Sequence, residues 1–332
     1  MNDSIAHLAH AVLMPGFVGP KAPGWLLDAV GNGLGGVCYF GHNVESPDQL
    51  RMLSEAIHAA GPALVAIDEE GGSVTRLYAR DGSPHVGPAV LGRADDPGLT
   101  AAVARLIGRE VRAAGVDVDL APVVDVNTNP SNPVIGVRSF GADPGRVARH
   151  ADAFVAGLQA AGVAATAKHF PGHGDTAVDS HLGMPVIEAN LGQLRARDLL
   201  PFAAAVAAGA RCVMTAHIVF RALDDRPATV SPAVISLLRD ELGFDGLVVS
   251  DAMDMRAVVD TIGYAEGVVQ ALVAGVDLVA LGNPQNSTPG HESAARRSDR
   301  AEFTEARDAV IAAVDRGRLP LERLAEAAGR VR

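Results

Sequence analysis

Aromatic side chains are scarce in this 332-residue chain: nine Phe, three Tyr and one Trp amount to 4% of it. A core of stacked rings is excluded, and packing falls to Ala, Val, Leu and Gly, which suit small-residue strands beneath helices. Basic charge is also in short supply. Lys and Arg number 28 against 39 Asp and Glu, a formal charge of −11, which argues against a nucleic-acid or anionic-membrane surface. The two cysteines, Cys38 and Cys212, both sit inside apolar runs. They read as small core residues in a reducing compartment, neither a disulfide nor a metal pair. No apolar run is long enough to span a bilayer, and the first residues lack a basic region followed by an apolar stretch. A soluble, cytoplasmic, monomeric protein is the expectation. No G-x-G-x-x-G follows the first strand, which weakens a dinucleotide-binding reading. H-x-H on the first strand and H-E-x-x-H are missing too, so neither a metal nor a cofactor is expected, although a metal-dependent hydrolase stays open as an alternative.

What is present is a large apolar fraction, 48%, arranged in alternation. Short β-like runs cover Val12–Phe17, Gly36–Phe40, Ala63–Asp68, Val116–Val126, Val163–His169, Cys212–His217, Gly246–Asp251 and Leu278–Gly282. Between them lie helical stretches at Trp25–Val30, Pro47–Ala60, Leu99–Ala114, Gly145–Ala161, Leu191–Ala208, Pro232–Leu242 and Tyr264–Ala274, with a final pair at Glu302–Val314 and Pro320–Val331. Strand–helix alternation implies parallel strands joined by crossovers. Eight such units predict a single-domain (β/α)8 TIM barrel over residues 1–332, with no repeat, linker or second domain expected. The polar segment Asn283–Arg300 is expected to be a mobile loop after the last strand.

The unusual residues sit where a barrel builds its site, at the C-terminal ends of strands. Asp68-Glu69-Glu70-Gly71-Gly72, Lys168-His169, His217 and Ser250-Asp251 all occupy such positions. Between Lys168 and His181 the chain also holds His169, His173, Asp175 and Asp179, shaped by Pro171, Gly172 and Gly174. A buried strand thus delivers a polar loop into a cleft. Asp179 stands two residues before His181; an aspartate that accepts from one imidazole nitrogen fixes the tautomer and raises the basicity of the other. A chance surface D-S-H is the plainer alternative. Asp251 ends an apolar strand, an unfavourable place for a carboxylate unless it is hydrogen-bonded or functional, whereas Asp254 suits a helix cap or loop. Asp68, Arg76, Arg138, Lys168 and His169 are either rim ion pairs or the donors and acceptor that a polyhydroxylated or amide-bearing ligand requires. His173, between two glycines, reads as a loop organiser, and His173 and His217 are further candidates for the site.

The run K-H-F-P-G-H-G-D-T-x-x-D-S-H at Lys168–His181 resembles the signature of the bacterial β-N-acetylglucosaminidases (NagZ-like β-hexosaminidases) of glycoside hydrolase family 3. Further matches follow in the family's order: M-P-G-F from Met14, I-D-E-E-G-G from Ile67, A-P-V-V-D-V from Ala121, I-G-V-R-S-F from Ile135, A-H-I from Ala216 and G-F-D-G-L-V-V-S-D from Gly243. The resemblance implies a retaining glycosidase on a (β/α)8 barrel that acts on a small carbohydrate with terminal β-linked N-acetylglucosamine, from peptidoglycan turnover or chitooligosaccharides. By motif position Asp251 would be the nucleophile, His181 the general acid/base and Asp179 its orienting partner. Asp68 would accept from sugar hydroxyls, and Arg76, Arg138, Lys168 and His169 would hold hydroxyls and the N-acetyl group. Glu69 and Ser73, which depart from the common pattern, are expected to alter subsite contacts. Phosphorolysis on the same site and a non-catalytic sugar-binding role are the alternatives.

Overall fold

The computed structural model describes residues 4–177, 179, 183–285 and 298–332. Eight parallel strands organise them: β1 (Leu13–Pro15), β2 (Gly36–Tyr39), β3 (Leu64–Ile67), β4 (Val118–Asp119), β5 (Ala164–Phe170), β6 (Cys212–Thr215), β7 (Leu247–Val249) and β8 (Val279–Gly282). Ladders run without interruption from β2 through β7 in chain order, and β1 pairs with β8. A parallel bridge between Val249 and Leu278 joins β7 to β8. β1 meets β2 without a ladder: the Gly35 N–H donates to His10 O at 3.0 Å, and the absent side chain of Gly36 leaves space for Met14. The curled sheet is the barrel that the alternation predicts, with helices outside it.

Side chains alternate across each strand, so two separate apolar cores form. Met14, Cys38, Ala66, Val118, Leu120, Cys212, Met214, Leu247, Val249, Leu278 and Ala280 fill the interior. The opposite faces (Leu13, Val37, Val65, Ala165, Val213, Val248 and Val279 among them) pack under the helices. Both cysteines are free, buried members of the inner core, as their apolar setting suggests. Helices Pro97–Ala113 and Pro144–Ala160 approach so closely that a Cβ on Gly157 would lie 2.4 Å from Ala101 O.

Two expected elements differ, and one short pair of strands is additional. The run Val116–Val126 pairs as a regular strand only over Val118–Asp119, because Pro122 has no N–H to offer; beyond it Lys168 of β5 donates its N–H to Pro122 O and accepts the Val124 N–H in a shifted register. The Leu191–Ala208 helix is two, Leu191–Ala196 and Leu199–Ala207, broken where Asp198 turns inward, 1% exposed, to pair with Arg197 at 3.0 Å. A short parallel pair, Val186–Ile187 with Val219–Phe220, stands outside the barrel and anchors the chain after Pro185. Residues 286–297, most of the polar segment expected as a loop, lie outside the described residues; Ser298 beyond them caps helix Asp299–Asp315. Among the described residues no helix is long and apolar enough to cross a membrane.

Candidate active site

Period-two alternation carries charge into the barrel mouth. Ala66 and Val249 belong to the inner core, and two residues later on the same face come Asp68 and Asp251. On β5 the register shifts between Lys168 and Phe170, a bulge that lets consecutive residues, Lys168 and His169, both reach the cleft. These side chains, with Glu70, Arg76, Arg138 and His173, line one pocket of about 340 Å³. Its floor is the top of the inner core: Cys38, Leu120, Met214 and Ala280.

Lys168 is the hub. It is 1% exposed, and its Nζ lies 2.7 Å from Asp68 Oδ1 and 2.6 Å from Glu70 Oε1. Arg138 grips Glu70 with two parallel bonds, 3.0 Å from Nε to Oε2 and 2.8 Å from Nη2 to Oε1. Arg76 reaches Asp68 Oδ2 at 3.3 Å. Burial favours the protonated form of both acids, but the cations outweigh it. Lys168 and Arg76 hold Asp68 well below the usual carboxylate range, and Arg138 and Lys168 hold Glu70 down at about 2. Burial works against the Lys168 ammonium, yet Asp68 and Glu70 keep its pKa raised. The pocket therefore offers a fixed, fully ionised network of hydrogen-bond donors and acceptors.

Loop geometry decides which acid faces in. Gly71 and Gly72 adopt φ of +78° and +60°, and a Cβ on Gly72 would sit 2.6 Å from Gly87 Cα. That reversal brings Glu70 and Arg76 to the same pocket while Glu69 turns away. Glu69 Oε2 accepts the N–H groups of Arg76 and Leu77 at 2.9 and 3.0 Å, so it shapes the loop and does not line the pocket. Ser73 is exposed and outside the pocket. The side chain of Glu69 is thereby reassigned from a subsite contact to a loop-shaping role.

Asp125 organises the histidines. It is fully buried and accepts from His169 Nδ1 at 2.7 Å, His169 N at 3.2 Å and His173 N at 2.7 Å. A carboxylate only accepts, so His169 carries a hydrogen on Nδ1. Burial, then the neighbouring His169, pushes His173 down to about 4, so it is a neutral ring at physiological pH. His173 both lines the pocket and ties the loop, with Nδ1 3.0 Å from Thr176 Oγ1.

Asp251 is held by its own chain: its N–H donates to Thr215 O at 3.2 Å, and Ala252 N–H donates to its Oδ1 at 2.8 Å. His217 does not line this pocket, contrary to its candidacy. Its Nε2 lies 2.9 Å from Ala252 O and its Nδ1 2.9 Å from Thr229 Oγ1, so it pins the segment that follows Asp251. Asp179 is half-buried, outside the pocket lining, and its carbonyl accepts from Gly183 N at 3.1 Å. His181 lies outside the described residues. Among the described residues no group of three or more His, Cys, Asp or Glu is placed to hold a metal ion.

Glu70 and Asp254 line the pocket and Asp125 holds His169 and His173 from behind, although none of the three is a site candidate from the sequence alone. The signal for Glu70 was its period-two spacing from Asp68, and for Asp125 a lone acid after the apolar run Ala121–Val124. Asp254 was read as a cap, but helix Arg256–Val259 has Met255 at its N-cap with no side-chain bond, and Asp254 lines the pocket.

Comparison with known proteins agrees with this geometry. The glycosyl hydrolase family 3 N-terminal domain matches residues 27–332. A beta-hexosaminidase of Methylococcus capsulatus is 40% identical over 260 residues, covering 76% of this chain and 77% of the relative. Beta-hexosaminidase A of Pseudoalteromonas piscicida is 38% identical over 273 residues, 75% of this chain but 46% of that protein. The solved structure of a family 3 beta-N-acetylglucosaminidase from Paenibacillus sp. FPU-7 superposes with a TM-score of 0.91 at 39% identity, over 99% of this chain and 61% of that one. The chain thus spans about half to three quarters of these relatives' length, and it belongs to glycosyl hydrolase family 3.

Proposed function

We propose that the protein is a retaining exo-β-N-acetylglucosaminidase that removes terminal, non-reducing β-linked N-acetylglucosamine. The observation that carries the reading is the meeting of Asp251 with the Asp68–Lys168–Glu70–Arg138 network in one pocket closed below by apolar side chains. A blind pocket of about 340 Å³ takes one sugar from a chain end, and its ionic walls suit hydroxyls and an amide. The relatives that share the chain's pattern carry the names beta-hexosaminidase and beta-N-acetylglucosaminidase.

The chemistry is a double displacement. An Asp251 oxygen attacks the anomeric carbon as the glycosidic bond breaks, and the leaving oxygen takes a proton from His181, which Asp179 orients. The same histidine then removes a proton from water, whose oxygen attacks the anomeric carbon and releases Asp251. A neutral imidazole in this role places no second negative charge beside the nucleophile. Asp68, Arg76, Arg138, Lys168 and His169 hold the sugar throughout. At a finer level, the substrate is a peptidoglycan turnover fragment, processed in the cytoplasm by a monomer.

The test is hydrolysis of a set of aryl and alkyl β-N-acetylglucosaminides by the wild type and His181→Ala. The variant should lose far more on poor leaving groups than on activated aryl ones, which need little protonation. Equal losses on both overturn the role of His181, and no turnover of any member by the wild type overturns the activity. Comparing muropeptide disaccharides with chitobiose tests the finer reading.

A further inference from the structure

The pocket contains a fourth acid that the mechanism above does not use. Asp254 lies three residues after the nucleophile, in the wall that also includes Met255, Gly282 and Asn283. The remaining charges nearby are committed to one another: Asp68 and Glu70 to Lys168, Arg76 and Arg138. Asp254 has no cationic partner among the described residues. Its Oδ2 accepts the Asn283 N–H at 3.1 Å, and among the described residues no side chain donates to Oδ1.

The fold makes room for this carboxyl. Gly282, the last residue of β8, has φ +118°, and a Cβ there would lie 2.1 to 2.5 Å from the carboxyl atoms of Asp254. Any other residue at the end of β8 would push the acid out of the wall. The segment is fixed on both sides as well, because Met253 N–H donates to Ala280 O at 3.0 Å and His217 holds Ala252 O. A half-buried acid held rigidly in a substrate pocket without an ionic partner is poised for a ligand.

We propose that Asp254 is a specificity-determining residue that hydrogen-bonds a hydroxyl of the sugar held over Asp251. This deepens the reading of the pocket as an N-acetylglucosamine site and rests on it. Burial, together with Glu302 and Asp251, pushes its carboxyl up to about 7, so it can offer an O–H as well as accept one. Either form pairs with a hydroxyl, whereas an apolar group at the same place on the ligand would leave the acid unsatisfied.

The experiment is a substrate-deletion cycle. Wild type, Asp254→Leu and Asp254→Asn are assayed on aryl β-N-acetylglucosaminide and on its 3-, 4- and 6-deoxy analogues, with melting temperature checked for each variant. One deoxy analogue should cost the wild type about tenfold or more in kcat/KM and cost Asp254→Leu almost nothing further, since the bond is already gone. Asp254→Asn, which keeps an acceptor and a donor, should retain more of that discrimination. The inference is overturned if all three analogues lose the same factor in wild type and Asp254→Leu, or if Asp254→Leu matches the wild type on the parent glycoside. Should Asp254→Leu fail to fold, the cycle runs on Asp254→Asn and Asp254→Ser, with the same outcomes decisive. Wild-type inactivity on the parent glycoside would instead sink the reading of the pocket itself.

Discussion

Replacing Lys168 with methionine removes the cation that is ion-paired with both Asp68 and Glu70. The methionine fills a similar volume, so the change is chiefly electrostatic. Among the described residues Asp68 keeps one ion pair, with Arg76 at 3.3 Å and a third of that side chain exposed, and Glu70 keeps the bidentate Arg138. Removing one partner of a buried ion pair costs about 3–5 kcal/mol because a charge is left uncompensated. For a chain of this length that corresponds to a fall of about 4–7 °C in melting temperature. The pH dependence makes the test specific. The folded-state pKa of both acids is depressed, so the stability they contribute is present above their unfolded pKa and is lost as pH falls towards the folded values. The gap between wild type and Lys168→Met should therefore be widest near neutrality and narrow as pH drops from about 5 to about 2, the span between ordinary carboxylate values and the depressed ones. Melting curves for both proteins across that range supply the measurement. A gap that stays constant with pH, or a neutral-pH shift within error, would refute the network as described. Catalysis should fall in parallel, through a higher KM, because the hydroxyl-binding oxygens lose their fixed geometry.

Asp125→Ala should act on the histidines at a distance from the sugar. It orphans three N–H donors, each costing about 1–3 kcal/mol when buried, so the variant should melt lower and bind substrate more weakly as His169 loses its orientation. Unchanged KM and unchanged melting would contradict the role assigned to Asp125. Asp277→Ala makes the opposite contrast. This buried acid, just before β8, accepts from Arg239 at 2.6 Å, Arg323 at 2.7 Å and Arg330 at 3.3 Å, locking the last helix, Leu321–Val331, to the barrel. Its loss should cost about 3–5 kcal/mol of stability with little change in kcat at 25 °C; a lost kcat with unchanged melting would count against that division of labour.

Much of this site was legible in the residues because its logic is periodic. Small apolar strands end in charged positions, and period two alone places Asp68 and Asp251 on the inward face above Ala66 and Val249. Legibility failed where direction depends on something other than period. The bulge that turns both Lys168 and His169 inward is a pairing defect, invisible without the partner strand. Glu69 and Glu70 are the same residue type side by side beyond the last regular residue of β3, so period two favours Glu70 and the double glycine reversal after them fixes which one faces the pocket. Asp254 reads as a cap because a cap is what an acid before a helix most often is; the vacancy at Gly282 that seats it comes from a strand 28 residues later. Asp125 was hidden for a related reason: its partners lie 44 and 48 residues along the chain.

The central claim, a covalent sugar on Asp251, is tested most directly by a fluorinated N-acetylglucosamine donor with an activated leaving group, followed by peptide mapping of the trapped protein. The account predicts one adduct with the mass of the sugar, on the peptide that contains Asp251, and none in Asp251→Ala. An adduct on any other residue, or turnover to product with no trapped species, would contradict it.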